Sequence, residues 1–321
     1  MNIGLCIRIV GLLLMLFSLG TLPSMVLGWV QEDGTAEVFG QAFAATAISG
    51  VVLSLLTQRV NTELQIRDGF LVTAAFWIVL SLYGSLPFLL SDAIQVSVFD
   101  AVFESVSGLT TTGATVLAGL DTLPQSILLY RQLLQWLGGI GIIVLAVAVL
   151  PMLGIGGVQL YRAESTGPAK DSKLTPRITS TAKALFSIYL GLTVACAAAY
   201  YLAGMSAFDA ISHAFSTIAI GGFSTHDASM GYFQSDVILL IACLFMLISA
   251  VNFGLHFVAF SKRNPGIYRF DSETKFFSGV LLISAIVTCI TLVAMGTLSA
   301  EKAIITGLFQ TVSIATTTGY A

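Results

Sequence analysis

Phe99-Asp-Ala-Val-Phe-Glu-Ser-Val-Ser-Gly-Leu-Thr-Thr-Thr-Gly-Ala114 decides the reading of this chain, because the pattern occurs three times. It returns as Phe208-Asp-Ala-Ile-Ser-His-Ala-Phe-Ser-Thr-Ile-Ala-Ile-Gly-Gly-Phe223 and as Leu308-Phe-Gln-Thr-Val-Ser-Ile-Ala-Thr-Thr-Thr-Gly-Tyr320. Gly113, Gly222 and Gly319 fall in register, as do Ser107, Ser216 and Ser313. The copies lie roughly 100 residues apart, the kind of period that marks a repeat architecture. Each copy is a moderately apolar stretch of about a dozen residues, too short to cross a bilayer, followed by a Thr/Gly-rich turn.

The surrounding composition sets the medium. The chain has 321 residues, 56% hydrophobic and 10% charged, with 14 Lys+Arg and 17 Asp+Glu; its mean hydropathy is +0.92. A soluble chain of this length would carry roughly 80 charges. An ordinary cytosolic enzyme, a disordered protein and a nucleic-acid binder are excluded, and the class is a polytopic, all-α membrane protein. Cys6, Cys196, Cys243 and Cys289 all sit in apolar runs without metal-ligand spacing, and read as small buried hydrophobes. Arg8 is the only charge before an apolar run to Leu27, and no small-residue cleavage site follows, so a retained first span is expected.

A hydrocarbon core needs about 20 apolar helical residues, which predicts spans at about 7–29, 40–57, 70–90, 127–150, 184–204, 236–260 and 276–296. The charges between them are sorted by side. Arg8, Arg59, Arg67, Arg162, Lys170, Lys173, Arg177, Lys183, Lys262, Arg263, Arg269 and Lys275 all fall on one side. The positive-inside rule makes that side cytoplasmic, with the N-terminus inside and residue 321 outside. The three Gly turns then belong to the outer loops after the third, fifth and seventh spans. Each unit reads span, short helix, Gly turn, span.

Irregular backbone is tolerated at membrane depth only where it is buried in protein or lines water. A half-helix descending from outside points the negative end of its dipole into the membrane, and the rising turn aims carbonyls at one axis. Glycine permits this because it adopts φ > 0. Such a turn suits a dehydrated monovalent cation, whose transfer into low dielectric costs on the order of 20 kcal/mol by the idealised Born estimate. Carbonyl oxygens offset that cost by replacing the hydration shell. The turns Thr110–Gly113, Ala219–Gly222 and Thr316–Gly319 contain no carboxylate, which argues against a divalent-selective acidic ring and for potassium as the substrate.

At this point the sequence resembles the Trk/Ktr/HKT potassium transporter superfamily, above all its bacterial TrkH branch. The resemblance is carried by Thr110-Thr-Thr-Gly-Ala114, Ile220-Gly-Gly-Phe-Ser-Thr225 and Thr316-Thr-Thr-Gly-Tyr320, and by two leading spans that look like the extra N-terminal helix pair of TrkH. It covers essentially the whole chain. It implies a potassium-channel-like fold of span–pore helix–filter turn–span units, pseudo-fourfold when complete. The units would be an N-terminal pair over 1–68 and pore repeats over 69–160, 161–270 and 271–321. It further implies a homodimer in the bacterial inner membrane, a cytoplasmic nucleotide-binding ring of the TrkA type, and no cofactor in this chain. Carried over residue by residue, the potassium sites are backbone oxygens around Thr111, Thr112 and Gly113, around Ile220, Gly221 and Gly222, and around Thr317, Thr318 and Gly319. Three different lining sequences imply looser selectivity than four identical loops. The sequence departs from the family in stopping at Ala321, straight after the third turn. That departure predicts a fragment of a chain about 160 residues longer, judged by repeat spacing, which would not conduct selectively alone.

Other residues carry two readings each. Gly138-Gly-Ile-Gly141 is a packing surface or a hinge. Arg131 either tunes cation entry or braces the filter turn through carbonyls, or else snorkels to the interface. Asn252 and His256, four apart, suggest an interhelical hydrogen bond rather than an ion ligand. Glu104 and Asp100 either concentrate cations at the outer mouth or serve as solvated or capping groups. His213 and His226 have no third metal ligand in the sequence nearby. The basic loops at 162–183 and 262–275 are docking sites for a regulatory partner, or simply obey the positive-inside rule.

Two transport mechanisms remain open from sequence: a channel-like carbonyl-lined path, and alternating-access symport coupled to sodium or protons. The repeats run in the same direction and few acids lie at mid-membrane, whereas alternating-access transporters favour inverted repeats and midplane ionisable groups. An enzyme is not expected, since the spans hold no GxSxG, HExxH or facing Asp pair.

Overall fold

A computed structural model of the chain describes residues 2–58, 66–141, 178–296 and 299–321. Regular structure among the described residues is entirely helical. Helix α1 (Ile3–Ser18) runs through a 3-10 turn into α2 (Leu22–Gln31), and α3 (Ala36–Leu56) returns against them. Next come α4 (Ile66–Gly84), the short α5 (Leu86–Leu90), α6 (Val98–Leu109) and α7 (Gln125–Gly139). The second half holds α8 (Ile178–Leu202), α9 (Ala207–Ile218), α10 (Asp236–Ala250), α11 (Phe253–Ser261), α12 (Ser272–Ala294) and α13 (Ala300–Ala315).

Five described stretches are long and apolar enough to cross a membrane: Ile3–Gln31, Ala36–Leu56, Arg67–Leu90, Lys183–Leu202 and Ser272–Ala294. They match the expected first, second, third, fifth and seventh spans. The fourth expected span begins as α7, and its remainder beyond residue 141 lies outside the described residues, as do Arg59, Arg162, Lys170, Lys173 and Arg177 of the basic loops.

The sixth span departs from expectation. Instead of one helix over 236–260, α10 and α11 meet at a bend of 86°. Val251 is extended, and Asn252 leaves the helix with φ −50° and ψ 120°. The Asn252 side chain accepts from the Gly254 amide at 2.8 Å, capping the new helix. His256 bonds across the break: its Nε2 lies 2.8 Å from the Ile248 carbonyl and its Nδ1 2.8 Å from the Tyr268 hydroxyl. A carbonyl only accepts, so Nε2 carries the proton in the neutral ring and Nδ1 accepts from Tyr268. The interhelical hydrogen bond expected of the pair is made by His256 alone, to Tyr268 of the 3-10 helix Pro265–Arg269, while Asn252 is a cap. Hydropathy averaged over the window conceals an N-cap, and both polar groups serve the broken backbone.

The half-helices are present. α6, α9 and α13 hold 12, 12 and 16 residues. Serine begins all three, as Ser97, Ser206 and Ser299. Ser97 and Ser206 accept from the amides of Asp100 and Asp209, and Asp100 bonds back to Ser97 to complete a capping box. Asp100 is thus a cap, as the plainer of its two readings held.

Two apolar clusters hold the elements in place. One gathers Leu5, Ile9, Leu13, Phe39, Phe76, Phe88 and Leu134 around the N-terminal pair and the first half-helix. The other gathers Tyr189, Tyr200, Ile218, Met246, Phe309 and Tyr320 around the second and third. Burial of this kind contributes roughly 25 cal/mol per Å² of apolar surface.

Candidate ion pathway

Each half-helix ends directly in its turn, and the three turns share one backbone pattern. Thr111, Ile220 and Thr317 have φ of 55°, 54° and 62°; two residues later Gly113, Gly222 and Gly319 have φ of 78°, 80° and 80°. The glycines were legible as positive-φ positions. The preceding three are β-branched, where a positive φ is a genuine outlier costing of order 1–3 kcal/mol, and no sequence signal singles them out.

The amides explain how that strain is held. Thr112, Gly221 and Thr318 each donate backward to the carbonyl of Ser107, Ser216 or Ser313 at 2.9 Å. Thr111, Ile220 and Thr317 donate to Gly108, Thr217 and Ile314 at 3.0, 3.1 and 3.0 Å. The aligned serines are therefore the anchor points of the turns. With the amides turned back onto the half-helix ends, the turn carbonyls are left for another partner. Of the nine carbonyls expected to line the path, Gly221 alone accepts a hydrogen bond among the described residues, from Gln135.

The turns stand side by side in chain order. A Cβ built on Gly113 would collide with the Gly221 oxygen, and one on Gly222 with the Thr318 oxygen. The glycines of the first and second turns thus abut the carbonyl of the third residue of the turn that follows. Glycine is required here twice over, by φ and by close approach. Thr110–Thr112 and Thr316–Thr318 pair their hydroxyls, each at 2.8 Å, behind the first and third turns.

A buried ion pair ties the first turn to the second. Arg131 and Glu104 are both 0% exposed and meet at 2.7 Å. Arg131 also donates to the Ser224 carbonyl and to the Thr115 hydroxyl, both at 3.0 Å. Its guanidinium lies 4.2 Å from the centre of the Phe223 ring. Glu104 accepts from the Thr115 hydroxyl and, at 3.1 Å, from the Val116 amide. Arg131 therefore braces the turn and does not snorkel. Glu104 is correspondingly neither a solvated group nor an acid of the outer mouth. A paired charge can be buried where an isolated one cannot, which decides between those readings.

Gln135, one helical turn after Arg131, holds the same segment. Its Nε2 donates to the Gly221 carbonyl at 2.7 Å and its Oε1 accepts from the Phe223 amide at 3.1 Å. Gln135 carries no distinct sequence signal, since Arg131 and Gln132 of the same helix are polar residues as well. Gly138 abuts the Leu109 carbonyl so closely that no Cβ fits, which favours packing over a hinge for Gly138-Gly-Ile-Gly141.

The second and third turns are joined without charge. The Tyr200 hydroxyl lies 2.9 Å from Thr217 Oγ1, which lies 3.1 Å from the Tyr320 hydroxyl. Tyr320 donates to the His213 carbonyl at 3.2 Å, and Ser313 Oγ donates to the Tyr320 carbonyl at 2.8 Å. His213 is buried between the Asp209 carbonyl and Ser224 Oγ, each 2.9 Å from a ring nitrogen. His226 pairs with Asp121 at 2.5 Å and lies 3.3 Å from Asp209. The hydrogen bond from His226 holds the Asp121 carboxyl below its ordinary pKa.

These turns can now be set beside known proteins. The TrkH family profile, described as "Cation transport protein", matches residues 35–321. The chain belongs to the TrkH family. It is 53% identical over its whole length to the Trk system potassium uptake protein TrkH of Halomonas elongata, spanning 67% of that protein. It is 52% identical over 98% of its length to TrkH of Escherichia coli K12, spanning 65% of it. The crystal structure of the potassium transporter TrkH from Vibrio parahaemolyticus superposes with a TM-score of 0.86 at 51% identity, covering 98% of this chain and 64% of that one. The chain thus spans about two-thirds of the length of these TrkH proteins. The fold class expected from the repeats, an all-α polytopic membrane protein of this family, holds.

Proposed function

We propose that this chain forms most of the ion path of a bacterial inner-membrane potassium uptake protein, with potassium moving past the backbone carbonyls of the turns. The observation that carries the reading is the threefold alternation of φ, with the amides of the second and third residues of each turn bonded back to its half-helix. That arrangement leaves the carbonyls of Thr111, Thr112, Gly113, Ile220, Gly222, Thr317, Thr318 and Gly319 to replace water around a cation, together with the second lone pair of Gly221. The names of its relatives support potassium as the substrate. Repeats of common direction support a channel-like path over alternating-access symport. In this reading the units are 1–68, 69–160, 161–270 and 271–321, the N-terminus is cytoplasmic, and the protein acts as a homodimer regulated by a TrkA-type ring.

Rubidium uptake by a potassium-uptake-deficient bacterium expressing the protein as its gene encodes it tests this. Uptake should appear with the protein and disappear in Gly222→Ala, whose Cβ would meet the Thr318 carbonyl, while membrane insertion is retained. Undiminished uptake by Gly222→Ala would overturn the carbonyl path.

A further inference from the structure

The three turns share a backbone but not the groups behind it. In the first and third, a threonine occupies the third position, Thr112 or Thr318, with its hydroxyl tied to Thr110 or Thr316. In the second, Ala219 and Gly221 occupy the corresponding positions and supply no hydroxyl. The space is not empty. A Cβ built on Gly221 would fall on the Gln135 side-chain amide, so Gln135 stands where the missing side chain would be.

Its chemistry matches that place. Gln135 is 0% exposed, and its two amide ends bond to the Gly221 carbonyl and the Phe223 amide, straddling Gly222. We propose that Gln135, reaching over from α7, the helix that follows the first turn, is the positioning residue of the second turn. It fixes the Gly221 oxygen and thereby tunes discrimination between potassium and the smaller sodium ion. This role rests on the ion path proposed above. The Gly221 oxygen is also the atom that abuts Gly113, so Gln135 sets the spacing between the first and second turns as well. A glycine at the third position would otherwise leave this turn the loosest of the three, because it has no side chain of its own to anchor.

The geometry makes the assignment reversible. Gly221 lacks the positive φ of its neighbours Ile220 and Gly222, so its backbone accepts a side chain once Gln135 is removed. The test compares rubidium with sodium uptake by the protein as its gene encodes it. Gln135→Ala should lower the rubidium-to-sodium preference about tenfold, the scale of one lost buried hydrogen bond. Gln135→Met keeps most of the volume but has neither the donor for Gly221 nor the acceptor for the Phe223 amide, and should lose the preference likewise. Adding Ala219→Thr and Gly221→Thr to Gln135→Ala rebuilds the hydroxyl pair of the other turns and should restore it. Deuterium exchange over residues 219–225 should rise in Gln135→Ala and fall again in that triple variant, a readout independent of transport.

An unchanged preference in both Gln135→Ala and Gln135→Met would overturn the role. So would equal loss of rubidium and sodium uptake with no rescue, which marks a merely structural residue. A wild-type protein that takes up neither ion would overturn the proposed path itself, and this role with it.

Discussion

The junction between the first and second turns and the junction between the second and third solve one problem with different chemistry. Both hold a strained, carbonyl-presenting turn against its neighbour. The first uses charge: Arg131 and Glu104, fully buried, bind Thr115, Val116 and Ser224. The second uses neutral hydroxyls: Tyr200, Thr217, Tyr320 and Ser313. A buried ion pair is geometrically exacting, and its loss is abrupt because the surviving charge has nowhere to go. A hydroxyl chain is lost bond by bond. The difference predicts a brittle junction and a graded one.

Arg131→Met is the largest break available. It strands the Glu104 carboxylate in a site with no solvent exposure, and should destabilise the protein by about 3–5 kcal/mol. Adding Glu104→Met should recover most of that loss, because replacing both partners of a buried pair with apolar groups is often close to neutral. Unfolding of the two variants in micelles measures both numbers. If the double variant is no more stable than the single one, the clamp is not an ion pair in energetic terms.

Tyr320→Phe should act more gently at the other junction. It removes one hydroxyl that lies 3.1 Å from Thr217 Oγ1 and donates to the His213 carbonyl at 3.2 Å, at a cost of about 1–2 kcal/mol. The ring still fills its place in the apolar cluster. Tyr200→Phe added to it should cost less than the sum of the two changes, since both hydroxyls serve Thr217. A Tyr320→Phe effect as large as that of Arg131→Met would erase the distinction between the junctions.

How much of this was legible in the sequence depends on whether a signal is local. The three turns, their glycines and the serines at 107, 216 and 313 were readable because they repeat in register, and the serines proved to anchor the turn amides. The buried pair was half readable. Arg131 was visible as a charge in an apolar helix, but Glu104 sits on another helix, and nothing in either segment names the other. The positive φ of Ile220 was invisible, because it runs against the preference of the residue and is imposed by neighbouring hydrogen bonds. The break after Ala250 was missed for the opposite reason: Asn252 is a local cap signal, but hydropathy averaged over the span outweighed it. Gln135 shows the limit most clearly, since it completes a turn from a different repeat.

The smallest predicted effect lies outside both junctions, where Asp121 and His226 link the loops that follow the first and second turns. The hydrogen bond from His226 lowers the Asp121 pKa, so the link favours the folded state while the carboxylate is ionised. With a depressed folded pKa, that stabilisation is fully present above the unfolded value of about 3.9 and is lost as pH falls through the folded one. Because Asp121 is exposed, solvent screening keeps its contribution small. Thermal unfolding of wild type and Asp121→Asn should therefore differ slightly but steadily from neutral pH down to about pH 4, and the two curves should converge below that. Convergence well above pH 4 would mean that the link draws on some group other than this carboxylate. It would then add a third, pH-sensitive fastening beside the ionic and neutral junctions, one whose strength follows the medium rather than the packing.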